Sequence, residues 1–189
     1  SELKPASRRG LAQEMCALSG GAARLAARAQ SLAAEGDLRL ACHLIDAIVT
    51  LLGRPDRVTS FSCNENDEFP WYRDNTAAIF EYGGAMATVE SASLEVASGA
   101  SRRLEVYGTR GTVILEPLEP PMLRLCLDED RDGYAKGWQT VPVENRPRYV
   151  ESLRALVADI RGEKTPDRSL DHEFIVQETV LRAAGLHEA

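Results

Sequence analysis

The residues of this chain best suited to chemistry stand close together in "RLACHLIDAIVTLLG", residues 39–53. On a helix, Arg39 and His43 are i, i+4 neighbours, and His43 and Asp46 are i, i+3 neighbours. All three side chains then share one face. A histidine oriented by a carboxylate is a proton-transfer group. A guanidinium on the same face favours the neutral imidazole. It also offers two parallel donors to a carboxylate or phosphate. The competing reading is structural: a half-buried histidine bonded to an acid that holds the helix in place.

Two other clusters are weaker. "DEDRDG" (128–133) places Asp at alternate positions before a Gly, as a calcium loop begins. A complete loop needs Glu at its twelfth position, and Gln139 stands there. A solvated acidic turn accounts for it better. Asp171, His172 and Glu173 are adjacent on a helix, so they point about 100° apart and do not converge on one ion. A metal-dependent hydrolase built on His43 and His172 therefore has poor ligand spacing, and no metal site is expected. No G-x-G-x-x-G opens a helix after a strand. The glycines of "YGGAM" and "YGTRG" serve turns.

The elements that position these residues follow from periodicity. Leu11, Met15, Leu18, Leu25 and Leu32 predict an N-terminal helical segment over 1–35 that ends near Gly36. A helix over about 38–52 buries Leu40, Ile48, Leu51 and Leu52 and stops at Gly53 and Pro55. Seven short segments rich in β-branched and aromatic residues come next, from "RVTSFSC" to "WQTVPV". Gly83-Gly84 and "GTRG" (108–111) read as hairpin turns, and the close spacing predicts mainly antiparallel pairing. Two helices follow. Residues 148–161 bury Tyr149, Leu153, Leu156, Val157 and Ile160, and residues 170–186 bury Phe174, Val176, Val180 and Leu181. The expected class is α+β: an open, mainly antiparallel β-sheet with helices packed on one face, preceded by the helical segment 1–35, with 36–189 as the α+β domain.

Composition narrows the function. A net charge of -7 argues against a nucleic-acid backbone as partner. No apolar run approaches the roughly 20 residues that cross a bilayer, and "SELKPASRRG" does not read as a secretory signal. Four cysteines without close spacing read as reduced core residues of a cytoplasmic protein.

From "CHLIDAIVTLLGRPDRVTSF" onward, the chain resembles the C-terminal domain of the Gfo/Idh/MocA family of NAD(P)-dependent sugar and polyol oxidoreductases. "DNTAAIFEYGGAMATVESA", "RRLEVYGTRGTVILEP", "VESLRALVADIRGEKTP" and "DHEFIVQETVLRAAG" follow in the family's order, over about 36–186. The resemblance implies that His43 lies at the substrate as the catalytic residue. Family domains of this kind supply most of the substrate pocket, and their outer sheet face commonly makes subunit contacts. It implies no cofactor in this chain, because NAD or NADP belongs to a Rossmann half that the resemblance does not cover. The family usually has an acid four residues before the histidine; here Arg39 replaces it.

The resulting expectation is a substrate-binding and oligomerisation domain of a sugar or polyol oxidoreductase. His43 is its catalytic residue. Arg39, Asp46, Trp71, Tyr72 and Arg73 are its substrate contacts. Its partners are a small carbohydrate-like substrate and a second copy met through the β-sheet face, with no nucleic acid and no membrane. The alternative is a stand-alone, non-enzymatic binding or assembly module with the same domain.

Overall fold

The computed structural model describes residues 41–64, 73–92, 95–144, 149–165 and 168–186. The segment expected to be helical over 1–35, and Arg39, Leu40, Trp71 and Tyr72, lie outside the described residues. The described residues divide into two compact units, one drawn from 37–96 and 155–189, the other from 97–154.

The first unit opens with helix α1 (Ala41–Leu52). Ile45, Ile48 and Val49 repeat at helical spacing and are buried, whereas Leu51 and Leu52 are only half-buried. The buried stripe thus lies one residue round from the expected one. The helix ends as a helix should. Gly53 takes a positive φ of 77°, and its N–H donates to Val49 O at 2.8 Å. Strands β1 (Arg57–Cys63), β2 (Asn75–Tyr82) and β3 (Ala85–Ala92) form an antiparallel sheet in that order. Gly83-Gly84 makes the two-residue turn between β2 and β3, with Tyr82 opposite Ala85.

Register puts Phe80 between Val58 and Ala87, and Ala78 beside Val89. Because side chains alternate across a strand, these residues share one face. Helices α1 and α4 (Leu170–Ala183) cover that face. The core joins Ile45, Ile48, Val49, Ala78, Phe80 and Val89 to Ile175, Val176 and Val180. Phe174 and Leu181, expected inside, are exposed. The buried stripe of α4 is centred on Thr179, whose hydroxyl donates to Ile175 O at 2.7 Å. That bond lets a polar residue occupy the core position, so an apolar count misplaces the face.

The second unit contains the short helix α2 (Ser98–Ser101) and strands β4 (Leu104–Gly108), β5 (Gly111–Leu115), β6 (Leu123–Leu127) and β7 (Gly137–Val141), antiparallel and in sequence order. The 108–111 hairpin is where the sequence places it. A Cβ on Gly111 would stand 2.6 Å from Cys126 O, so only glycine fits there. Val113, Leu115, Leu123, Leu125, Leu127 and Val141 are buried.

The acidic run 128–133 lies in the connection from β6 to β7. Asp128 pairs with Arg110 at 3.6 Å, and Glu129 pairs with Arg110 and with Arg131 at 2.5 Å. Asp128 and Glu129 are therefore answered by arginines, and Asp130 accepts from Lys136 N at 2.7 Å. Helix α3 (Val150–Ile160) carries Leu153, Leu156, Val157 and Ile160, all exposed. Among the described residues nothing covers that stripe, contrary to the burial its spacing predicts.

The architecture is α+β with antiparallel sheets. Its strands are divided between a three-stranded and a four-stranded sheet. Among the described residues, Cys63 is exposed, while Cys42 and Cys126 are half-buried, so these cysteines lie outside the core proper. No described helix is long and apolar enough to cross a membrane.

Candidate functional site

The site lies in the first unit, where the N-terminal half of α1 meets the start of α4. His43 is half-buried in the first turn of α1, and Asp46 follows one turn later with 6% of its surface exposed. Two described side chains hold the Asp46 carboxylate. Arg168 Nη2 meets Oδ2 at 2.7 Å, and His172 Nε2 meets Oδ1 at 2.9 Å. The imidazole that partners Asp46 is thus His172, brought from 126 residues away, and not the ring one turn earlier on the same helix.

Local sequence explains why His172 is available. Ser169 caps α4, and its Oγ accepts a hydrogen bond from His172 N at 3.1 Å. Asp171 and Glu173 lie in the same first turn, where the helix dipole favours acids. The cap sets the start of the helix, and the start sets where the ring points.

The chemistry of the cluster follows from its donors. A carboxylate paired with a guanidinium accepts hydrogen bonds. His172 therefore donates to it through Nε2. A buried acid that orients a histidine, with a second, half-buried histidine one turn earlier on the acid's helix, gathers groups of the kind that hold protons. Among the described residues no three potential ligands converge on a metal position.

The far end of α1 is tied to the same helix. Arg182 donates to Pro55 O and Asp56 O, both at 3.3 Å, and Arg54 pairs with Glu178. The Tyr82 hydroxyl faces Gly53 O at 3.4 Å. Burial, reinforced by the charge of Asp56, pushes the Tyr82 phenol up to about 12. In the unfolded chain a tyrosine titrates near pH 10. The folded protein therefore retains this proton while the unfolded chain loses it. Stability is at its full value below pH 10 and falls as pH rises from 10 towards 12. The half-exposed ring is partly screened, so the expected loss is about 1 kcal/mol. Urea melts at pH 9 and pH 11 should show it, and Tyr82→Phe should remove that component of the fall.

Of the residues singled out in the sequence, the described ones are His43, Asp46 and Arg73. His43 and Asp46 stand together on α1, and Arg73 is exposed just before β2. Arg168 and His172 are the members of the cluster that spacing along the chain does not connect to Asp46. The only local signal for them is the Ser169 cap.

A sheet backed on one face by the first and last described helices, with a braced histidine-carboxylate cluster where they meet, defines the class: an α+β domain. Residues 29–114 match the sequence profile of the GFO/IDH/MocA C-terminal domain. Among curated proteins, none matches the chain by sequence.

Solved structures agree in fold. UDP-N-acetylglucosamine 3-dehydrogenase GnnA from Acidithiobacillus ferrooxidans superposes with a TM-score of 0.62 at 15% identity, over 77% of this chain and 44% of that one. A levoglucosan dehydrogenase in complex with NADH and levoglucosan gives 0.58 at 16% identity, over 78% and 48%. An oxidoreductase from Agrobacterium radiobacter, in complex with NAD+, L-tartaric acid and magnesium, gives 0.58 at 14% identity, over 84% and 51%. The chain spans about half the length of these structures.

Proposed function

We propose that this chain is the substrate-binding and self-associating part of a cytoplasmic oxidoreductase that acts on a small carbohydrate or polyol. The matched segment 29–114 contains both His43 and Asp46, and this observation carries the reading. Two of the similar structures bear on the substrate class: one is a dehydrogenase of a nucleotide sugar, the other a dehydrogenase holding levoglucosan.

His43 is the group that handles the substrate hydroxyl proton. Asp46 keeps the helix beneath it in place through Arg168 and His172. Arg39, Trp71, Tyr72 and Arg73 contribute the remaining substrate contacts.

The described residues do not fit a dinucleotide. The glycine pairs at 83–84 and 108–111 serve hairpins. Asp171 and Glu173 in the first turn of α4 would repel a pyrophosphate.

Titration of isotope-labelled protein with aldoses, inositols and UDP-sugars, followed by NMR, tests the reading. One of these classes should shift the His43 ring signals, and His43→Ala should weaken that ligand at least tenfold with an unchanged melting temperature. Binding that leaves residues 39–46 and 71–73 unperturbed would overturn it.

A further inference from the structure

The two faces of the four-stranded sheet differ in a way that the described elements do not account for. Register places Leu104, Leu115, Leu123 and Val141 in one row across β4, β5, β6 and β7. Val106, Val113, Leu125 and Gln139 form the next row on the same face. Leu115 is 0% exposed and Leu123 1%. On the opposite face Tyr107 is 73% exposed and Arg124 and Trp138 are exposed too. Ile114 alone is buried there, flanked by Glu105 and Arg124. Neighbouring strands shield both faces alike, so the leucine face has a cover that the other lacks.

Among the described residues no element supplies that cover. Strands of five residues make a sheet about 17 Å long, and four of them span about 14 Å. Helix α2 has four residues and is about 6 Å long. The connection from β5 to β6 contributes Leu118, one buried side chain. Helix α3 leaves Leu153, Leu156, Val157 and Ile160 exposed, so its apolar side rests on nothing. Helices α1 and α4 lie on the three-stranded sheet. The burial arises within a single chain, so the cover belongs to this chain. Outside the described residues, 1–40 is the one segment longer than eight residues.

The sequence of that segment suits the task. Leu11, Met15 and Leu18, then Leu25, Ala29 and Leu32, repeat at helical spacing. As a helix, residues 22–35 would run about 21 Å, enough to cross the sheet along its strands. Ala22, Ala26 and Ala33 fall beside the leucines, and such small side chains let a helix lie close to a sheet. The third row of the leucine face is Gly108, Gly111, Leu127 and Gly137, which leaves room for that approach.

We propose that residues 1–35 pack as a helical layer on the Leu115, Leu123 and Leu125 face of the four-stranded sheet. The face is then a docking surface for a segment of its own chain. The segment completes a hydrophobic core rather than trailing from the domain, and it closes this face to any other partner. None of this depends on the function proposed above.

Methyl NMR of the full chain tests it. With leucine and valine methyl groups labelled, Leu25 or Leu32 should give nuclear Overhauser contacts to Leu115, Leu123, Leu125 or Val141. A mixture of labelled and unlabelled protein shows whether each contact lies within one chain. Leu25→Asp should speed amide exchange in β5 and β6 at least tenfold. Gln30→Asp, turned away from Leu25 and Leu32 on the same helix, should leave it unchanged. Should Leu25→Asp unfold the unit outright, Leu25→Ala gives the comparison in a folded chain. Sheet methyl groups that meet Phe69 or Trp71 instead of residues 1–35, contacts that form only between chains, or unchanged exchange in both Leu25 variants would overturn the proposal.

Discussion

Phe80→Ala is expected to destabilise the unit built from α1, β1, β2, β3 and α4 by about 3–5 kcal/mol. Phe80 is fully buried and sits between Val58 and Ala87 in the sheet. Above it lie Ile45, Ile48 and Val49 from α1, and Val176 and Val180 from α4. Removing the ring leaves a cavity at the point where both helices rest, and neither helix can close it without leaving its other contacts. A domain's whole stability is about 5–15 kcal/mol, so the loss is a large fraction of it. Urea denaturation followed by circular dichroism measures it. Phe80→Leu, which keeps most of the volume, should cost much less. A loss below about 1 kcal/mol for the alanine variant would mean that the helices do not rest on this face.

Asp46→Ala should cost about 3 kcal/mol, because breaking a buried ion pair leaves charge without its partner. Asp46 is buried, and Arg168 and His172 both turn towards it. Arg168 is about one-third exposed, so water recovers part of its loss. Asp46→Asn keeps the size and one acceptor oxygen and should cost less.

A double-mutant cycle with His172→Ala separates this bond from general packing. Residues in direct contact couple by about 0.5–3 kcal/mol, and additive losses would show that the 2.9 Å contact contributes nothing. The same variants bear on function. If Asp46 steadies the helix under His43, its removal should broaden the His43 ring signals in NMR even where the protein remains folded.

Much of this protein is legible along the chain because its causes are local. The stop of α1 at Gly53 and the hairpins at Gly83-Gly84 and 108–111 each depend on a few adjacent residues. So does the start of α4, set by Ser169. Alternation along the strands marks them as antiparallel, since no connection is long enough for a crossover helix. His43 and Asp46 share a helical face by spacing alone.

Tertiary structure decided the rest. Whether seven strands make one sheet or two depends on which edges pair, and no single strand's pattern contains that choice. The buried side of α4 was set by Thr179, a polar residue whose own helix satisfies its hydroxyl. The apolar stripe of α3 reads as core by periodicity, yet burial requires a partner, and periodicity names none. The partner of Asp46 could not be read from spacing, because any histidine or arginine in the chain satisfies a carboxylate equally well on paper. Folding brought Arg168 and His172 to it because the core seats α1 and α4 side by side on the sheet, and a buried carboxylate takes the donors that this packing places within about 3 Å.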